Sequence, residues 1–361
     1  MQKQKTWRDF SAPVTPFMPL GRRSEVCNAE SKCGGVQERL LQNAEFFASG
    51  REALMRALSV CKAFERTLWL PSYFCPWVVK AVKKYAWGVA FYGDSPLDSS
   101  PNLDSLRPGE TDIVVAVDYF GIRDLRFWAR WKKSNPDTVL IADISHSPFS
   151  AALSDDTFDF VFASLRKTMP ITDGGYLYGA NYSPAKIYTR PGEGSEPASA
   201  CAFAAALAQL DYSRAQDYYY NAEMRLNAKQ NISRISFYSL ESIKMMDISA
   251  LYDSRREVFC AFESEFGDQP GVILLKNEEK LSFDKYSLFC PTLAFENVAL
   301  RDRAYAALAK NGVLSSIYWG AKFMQDEGAK QISGRMLTIP LDFRHNREDA
   351  RNVARILNEI F

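Results

Sequence analysis

Apolar residues recur at spacings of three and four along GREALMRALSVCKAF, where Ala53, Leu54, Ala57, Leu58 and Cys61 share one face, and Ser49 and Gly50 stand at its entry; the pattern predicts a helix. The next run, TLWLP, is short and apolar, as a buried strand is. From there the chain alternates. VVKAVKKYA reads as helix, VAFYG as strand, DIVVAVDYFG as a buried strand, DLRFWARWKKS as helix, and TVLIADIS and FDFVFASL as strands. Strands separated by helices of this length are crossover units, so the expected fold class is α/β, with a mainly parallel central sheet flanked by helices over about residues 43–180.

Two stretches interrupt the pattern. Residues 1–42 contain Pro13, Pro16, Pro19, Gly21 and the pair Gly34-Gly35, which suggests an irregular N-terminal arm. TRPGEGSEPASA, residues 189–200, reads as a loop or lid. Beyond Asp247 the order changes to helix (SALYDSRREVFCAFESEF), strand (GVILL), strand (YSLFCPTLAF), helix (ALRDRAYAALAKNG), strand (VLSSIYW), strand (RMLTIPLD) and a last helix (REDARNVARILNEIF). The expected organisation is therefore the arm, a large domain over 43–246 and a smaller C-terminal α+β domain over 247–361.

Composition narrows the chemistry. In 361 residues, 44 basic side chains stand against 43 acidic ones, so no overall field recruits nucleic acid or an anionic membrane, and an anionic ligand must be held locally. Cys27, Cys33, Cys61, Cys75, Cys201, Cys260 and Cys290 are scattered and never at C-x-x-C spacing, which argues for reduced thiols rather than disulfides or zinc. With His146 and His345 as the two histidines, a multi-histidine metal site cannot be built, and no metal is expected. The opening MQKQKTWRDFSAP has no apolar core of a signal, and no run is long enough for a membrane span; a cytoplasmic location is expected.

In an open parallel sheet, ligands collect beyond the carboxyl ends of the strands, and four polar positions stand there. Ser49-Gly50-Arg51 leads into a helix whose free N–H groups and dipole suit a phosphate, although such a turn by itself is more often a plain helix cap. Asp143 closes the strand TVLIAD, and a part-buried carboxylate there calls for a cation or caps the following turn. Ser164-Leu165-Arg166-Lys167 follows FDFVFA; a lysine at a strand exit can have its amine kept neutral by burial, or be an ordinary solvated charge. Asp173-Gly174-Gly175 permits a backbone conformation or a close approach closed to other residues.

Taken in order, these pieces resemble the DegT-type family of nucleotide-sugar aminotransferases, a branch of the aspartate-aminotransferase superfamily that uses pyridoxal 5'-phosphate (PLP) on fold type I. The resemblance runs through FASGREALMRAL, LPSYFCP, NLDSLRPGETDIVVAVDYFG, IADISHS, FASLRKTMPITDGGYL and LTIPLDFRHNREDARNVARIL. It implies that Gly50 and Arg51 bind the phosphate with help from Ser164, that Asp143 pairs with the pyridine nitrogen, and that His146 lies near the phenolic oxygen. Lys167 would be the catalytic residue, holding the cofactor as a Schiff base. Tyr73, Phe74 and Trp77 are the candidates for the aromatic that stacks on the ring, and Tyr73 and Phe74 are taken first. Arg51 departs from the small hydroxyl residue common in the family, and the spacing from Ser164 to Lys167 is tighter than usual. NISRISFYSL, residues 231–240, is the nearest equivalent of the loop by which a neighbouring subunit completes such sites, and a homodimer is implied.

The function implied is transfer of an amino group from an amino acid such as glutamate to a keto-sugar nucleotide, for a polysaccharide or a secondary metabolite. Two alternatives remain open on the residues alone. One is another PLP reaction, such as dehydration or an amino-acid or aldehyde aminotransfer; the other is a non-catalytic relative acting as a binding module.

Overall fold

The computed structural model describes residues 35–188, 190, 192, 212–228 and 231–361. A first helix, α1 (Val36–Asn43), occupies the end of the stretch expected to be irregular; residues 1–34 of that arm lie outside the described residues. Its helical turn is fastened by the buried Gln37, whose side-chain amide donates to the carbonyls of Ile243 and Met246. Tertiary bonding of this kind is invisible to local composition.

The chain then runs β1 (Glu45–Phe47), α2 (Gly50–Val60), β2 (Thr67–Pro71), α3 (Pro76–Val82), β3 (Gly88–Tyr92), β4 (Ile113–Val117), α4 (Phe127–Ser134), β5 (Val139–Asp143), β6 (Phe160–Ser164) and β7 (Gly175–Tyr178). These strands form one seven-stranded sheet in the order β1-β7-β6-β5-β4-β2-β3. Neighbours from β3 to β6 pair in parallel, while β7 and β1 add antiparallel at one side. The mainly parallel sheet expected from the alternating pattern is therefore present. Both faces are covered, as β4 shows: Val114 and Ala116 pack with Trp128 and Trp131 of α4, whereas Ile113, Val115 and Val117 pack with Leu54, Ala57 and Leu58 of α2. Side chains alternate across a strand, so a strand buried throughout needs an apolar layer on each side.

After β7 come α5 (Tyr212–Ala228), α6 (Phe237–Met245), α7 (Ile248–Phe266), β8 (Val272–Leu274), α8 (Glu278–Phe283), β9 (Thr292–Phe295), α9 (Val298–Lys310), α10 (Glu327–Gly334), β10 (Met336–Thr338) and α11 (Arg347–Asn358). An antiparallel sheet, β10-β9-β8, is covered by the apolar faces of α7, α9 and α11 through Phe262, Phe266, Leu308, Val353 and Leu357. Most of the expected loop at 189–200 lies outside the described residues.

Two expectations for this half are corrected. YSLFCPTLAF is a strand only from Thr292, because Pro291 offers no backbone N–H and Leu288 takes a left-handed φ of 91°. VLSSIYW is not a strand; it is an irregular segment with a single bridge from Ser316 to Thr338. Both irregular segments carry aromatic side chains to the end of the parallel sheet. Among the described residues, no helix is long and apolar enough to cross a membrane.

Candidate active site

The chain leaves β2 in one direction to make β3, then returns past β2 to make β4, β5 and β6. Where strand order reverses, the connections part and leave a crevice beyond the carboxyl ends. A cavity of about 350 Å³ lies there, walled by residues at or just beyond the carboxyl ends of β2 (Cys75, Trp77), β4 (Asp118), β5 (Asp143, Ser145, His146) and β6 (Ser164, Arg166, Lys167).

Ser49, Gly50 and Arg51 form its floor at the start of α2. Ser49 caps the helix, its side chain accepting from the Glu52 N–H at 3.3 Å. A Cβ on Gly50 would come within 2.8 Å of the Ser164 nitrogen, and one on Gly175 within 2.3 Å of the Gly50 nitrogen. Both glycines are thus required by close approach, which drives the α2 N-terminus against the ends of β6 and β7. Gly174 beside them takes a φ of 147°, so the Gly-Gly pair serves conformation and approach together.

Asp143 ends β5 and accepts from the Ser145 N–H at 2.9 Å. Burial raises its carboxyl above the usual carboxylate range, against the pull of Lys167. Ser145 ties the two strand exits together by accepting from the Ser164 N–H at 3.1 Å.

His146 is 3% exposed and clamped between two rings, Phe120 at 5.2 Å and Phe289 at 4.5 Å, both within 18° of parallel. The Phe120 N–H donates to Nδ1 at 3.0 Å, and Nε2 lies 3.2 Å from Lys167 Nζ. Burial first, and Lys167 second, hold the imidazole well below its usual range. Lys167 itself ends the 3-10 turn Leu165–Lys167 after β6, with Nζ 5.9 Å from the Trp319 ring centre.

Two guanidinium groups, Arg51 and Arg166, line the cavity. Arg51 Nη2 donates to the Leu226 carbonyl at 3.0 Å, and Arg166 pairs with Glu223; both partners stand on α5. Burial, before other influences, pulls the Arg51 guanidinium below its usual range.

The structure thus brings Gly50, Arg51, Asp143, His146, Ser164 and Lys167 to one cavity. It does not bring Tyr73 or Phe74. Both are fully buried in the core beneath α2, and Tyr73 reaches the site only as backing for Trp319, at 5.5 Å between ring centres. Pro76 starts α3 immediately after Cys75, and the wall aromatic on this side is Trp77. Sequence reasoning missed Asp118, Arg166, Tyr219, Glu223 and Trp319 as lining residues. Asp118 stands at a strand exit and was open to the same rule as Asp143. For Trp319, which arrives from the irregular segment after α9, no local signal existed.

No protein-family model matches the chain, and no curated sequence matches it. Solved structures do. A candidate sugar aminotransferase from Streptococcus pneumoniae is 12% identical with a TM-score of 0.65, covering 98% of each chain. PseC from Helicobacter pylori, an aminotransferase involved in pseudoaminic acid biosynthesis, is 15% identical with a TM-score of 0.63 over 97% of this chain and 99% of that one. TlmJ from Streptoalloteichus hindustanus, an aminotransferase, is 15% identical with a TM-score of 0.64 over 96% and 98%. The chain has the fold of these aminotransferases, the PLP-transferase fold.

Proposed function

We propose that this protein is a PLP-dependent aminotransferase that moves an amino group from an amino acid such as glutamate to a keto-sugar nucleotide. The observation that carries the reading is the meeting of Lys167 Nζ and the Asp143 carboxyl in one cavity above the α2 N-terminus. The fold supports it, and the Streptococcus pneumoniae protein of the same fold is also known in PLP and PMP forms.

The residues present fit the cofactor. A carboxyl that burial works against, facing a cavity, is suited to a protonated ring nitrogen, and the α2 N-terminus, brought against the ends of β6 and β7 by the close approach at Gly50 and Gly175, lies at the cavity wall where a phosphate would sit. Bound there, PLP supplies an aldehyde carbon and an electron-accepting ring. Gly50 and the first turn of α2 bind its phosphate through backbone N–H groups, Arg51 adds a guanidinium and Ser164 a hydroxyl. Asp143 holds a proton at the ring nitrogen. His146, beside Lys167, would orient the bound group, and Lys167 Nζ would hold the cofactor and supply the amine that moves a proton. Trp77 and Trp319 exclude water from the walls. Two chains acting as a homodimer are part of this reading.

Purified protein incubated with PLP is expected to turn yellow, and borohydride should then fix the cofactor's mass on the peptide that holds Lys167. Adding glutamate should bleach the colour and release 2-oxoglutarate. A colourless protein with no adduct would overturn the PLP reading, and an adduct without 2-oxoglutarate from any common amino donor would overturn aminotransfer.

A further inference from the structure

A site that moves an amino group between two compounds receives both in turn. An amino acid and its 2-oxo acid carry a carboxylate on the reacting carbon, whereas a keto sugar carries none there. A fixed guanidinium at the reacting centre suits the first partner, and the second would leave it as an uncompensated, largely buried charge.

Arg166 precedes Lys167 in the turn Leu165–Lys167, and its side chain, 15% exposed, lines the same cavity. A guanidinium stays charged in proteins, and its fork of N–H groups fits a carboxylate through two parallel hydrogen bonds. Here the fork is not filled. Nη2 donates to Glu223 Oε1, while Nε is buried and has no partner among the described residues. Nor is the pair needed to fasten α5. Arg51 already holds that helix by the Leu226 carbonyl, and Ala222 and Leu226 are buried beneath it. The other carboxylates that line the cavity are committed: Asp118 accepts from Lys280 Nζ at 2.5 Å, and Asp143 from the Ser145 N–H at 2.9 Å. Glu223, 26% exposed on α5, has water to swing into.

We propose that Arg166 takes the carboxylate beside the reacting carbon of an amino acid or 2-oxo acid, and that Glu223 is its placeholder, pairing with Arg166 when the partner has no carboxylate there. The exchange replaces one carboxylate by another, so the charge facing Arg166 is the same with either partner. An incoming carboxylate gains Nε as well as Nη2. Its position follows from the chain: Arg166 is the neighbour of Lys167, whose Nζ gives up its place to the substrate nitrogen, and the carboxylate is one carbon from that nitrogen. The inference rests on the proposed function for the reaction, and it names the donor class as α-amino acids rather than amines that lack a carboxylate.

The test measures binding, by titration calorimetry, on the full chain both freed of small molecules and with PLP supplied. Each 2-oxo acid is compared with the ketone in which a methyl group replaces the carboxylate on the reacting carbon: 2-oxoglutarate with levulinate, and pyruvate with acetone. The wild type should bind at least one 2-oxo acid on the order of tenfold more tightly than its ketone, the factor that hydrogen bonds to a charged group supply. Arg166→Gln should erase that preference. Glu223→Gln, which keeps the shape and removes the competing charge, should tighten the 2-oxo acid several-fold and leave the ketone unchanged. The sign separates a placeholder from a brace, because losing a brace would loosen Arg166 and weaken the 2-oxo acid. A wild type with no preference in either form would overturn the proposal. So would a preference that survives in Arg166→Gln folded by near-ultraviolet circular dichroism, or a Glu223→Gln protein that binds the 2-oxo acid no more tightly; if Arg166→Gln does not fold, Glu223→Gln decides. Failure of the PLP reading is distinguishable, because it shows as a missing colour and a missing adduct on Lys167, whereas this preference is also read on protein without PLP.

Discussion

At the scale of single residues, the site works through groups whose surroundings oppose their usual charge. His146 has its ordinary titration suppressed by burial, so the unfolded chain binds a proton near pH 6.5 that the folded chain does not. The sign follows. A group with a lowered folded pKa takes stability away as pH falls below its unfolded value, at up to about 1.4 kcal/mol per pH unit. His345 is lowered in the same direction by burial and adds to the loss. Thermal melts of the cofactor-free protein should show the melting temperature dropping between pH 7 and pH 5, and His146→Phe should flatten part of that slope even where it lowers the melting temperature overall. Asp143 acts in the opposite sense. Its folded pKa is raised by burial, so its contribution falls as pH rises from the ordinary carboxylate value.

Among the elements, the junction between α2 and the β6–β7 corner is where the proposed function places the cofactor's phosphate. Ser49 and Gly174 are bridged in parallel there, and Gly50 and Gly175 allow backbones to meet closely. Gly50→Ala would press a methyl group against the Ser164 nitrogen and the Ala163 carbonyl, both backbone atoms that cannot move aside as a flexible side chain can. The expected outcome is a loss of about 1–3 kcal/mol in denaturant unfolding, as for overpacking in a core, together with weaker PLP binding by titration. Unchanged stability would show that this corner yields. The helix pattern of α2 and its cap were legible because helix periodicity and capping are local. The closeness of the corner was legible only as a Gly-Gly pair, since which backbone approaches a glycine is a tertiary fact.

Across the whole molecule, Arg255 on α7 joins the two halves of the site. It is 2% exposed, and its guanidinium donates to the Phe289 carbonyl at 2.6 Å and the Thr168 carbonyl at 3.1 Å. Phe289 covers His146, and Thr168 follows Lys167, so one side chain from the second half holds both sides of the His146–Lys167 pair. Asp342, 4.0 Å away, provides the countercharge, and its carboxyl is held well below the usual range by Arg344, His345 and Arg255 despite burial. Removing one partner of such a buried cluster leaves the rest uncompensated. Arg255→Met should cost about 3–5 kcal/mol in chemical denaturation. A variant as stable as the wild type would remove Arg255 from this role.

What the sequence by itself determined is the part governed by short-range periodicity and strand exits: the alternating strands and helices, the α2 cap, and the placing of Asp143, Ser164 and Lys167 at the carboxyl edge of a parallel sheet. Those positions are set by the chain's own repeat and by the common direction of parallel strands. Tertiary structure alone decided the walls and the polarity of the site. Tyr73 and Phe74 went to the core while Trp77 and Trp319 lined the cavity, and Phe120 and Phe289, 169 positions apart, closed on His146. The physical reason is that a side chain's periodicity marks which face of its element it shares, whereas the partner across that face is supplied by a distant element. Lys167 is legible as a lysine at a strand exit; the hydrogen bond that gives its amine a direction depends on a ring, an amide and a second ring brought together only by the fold.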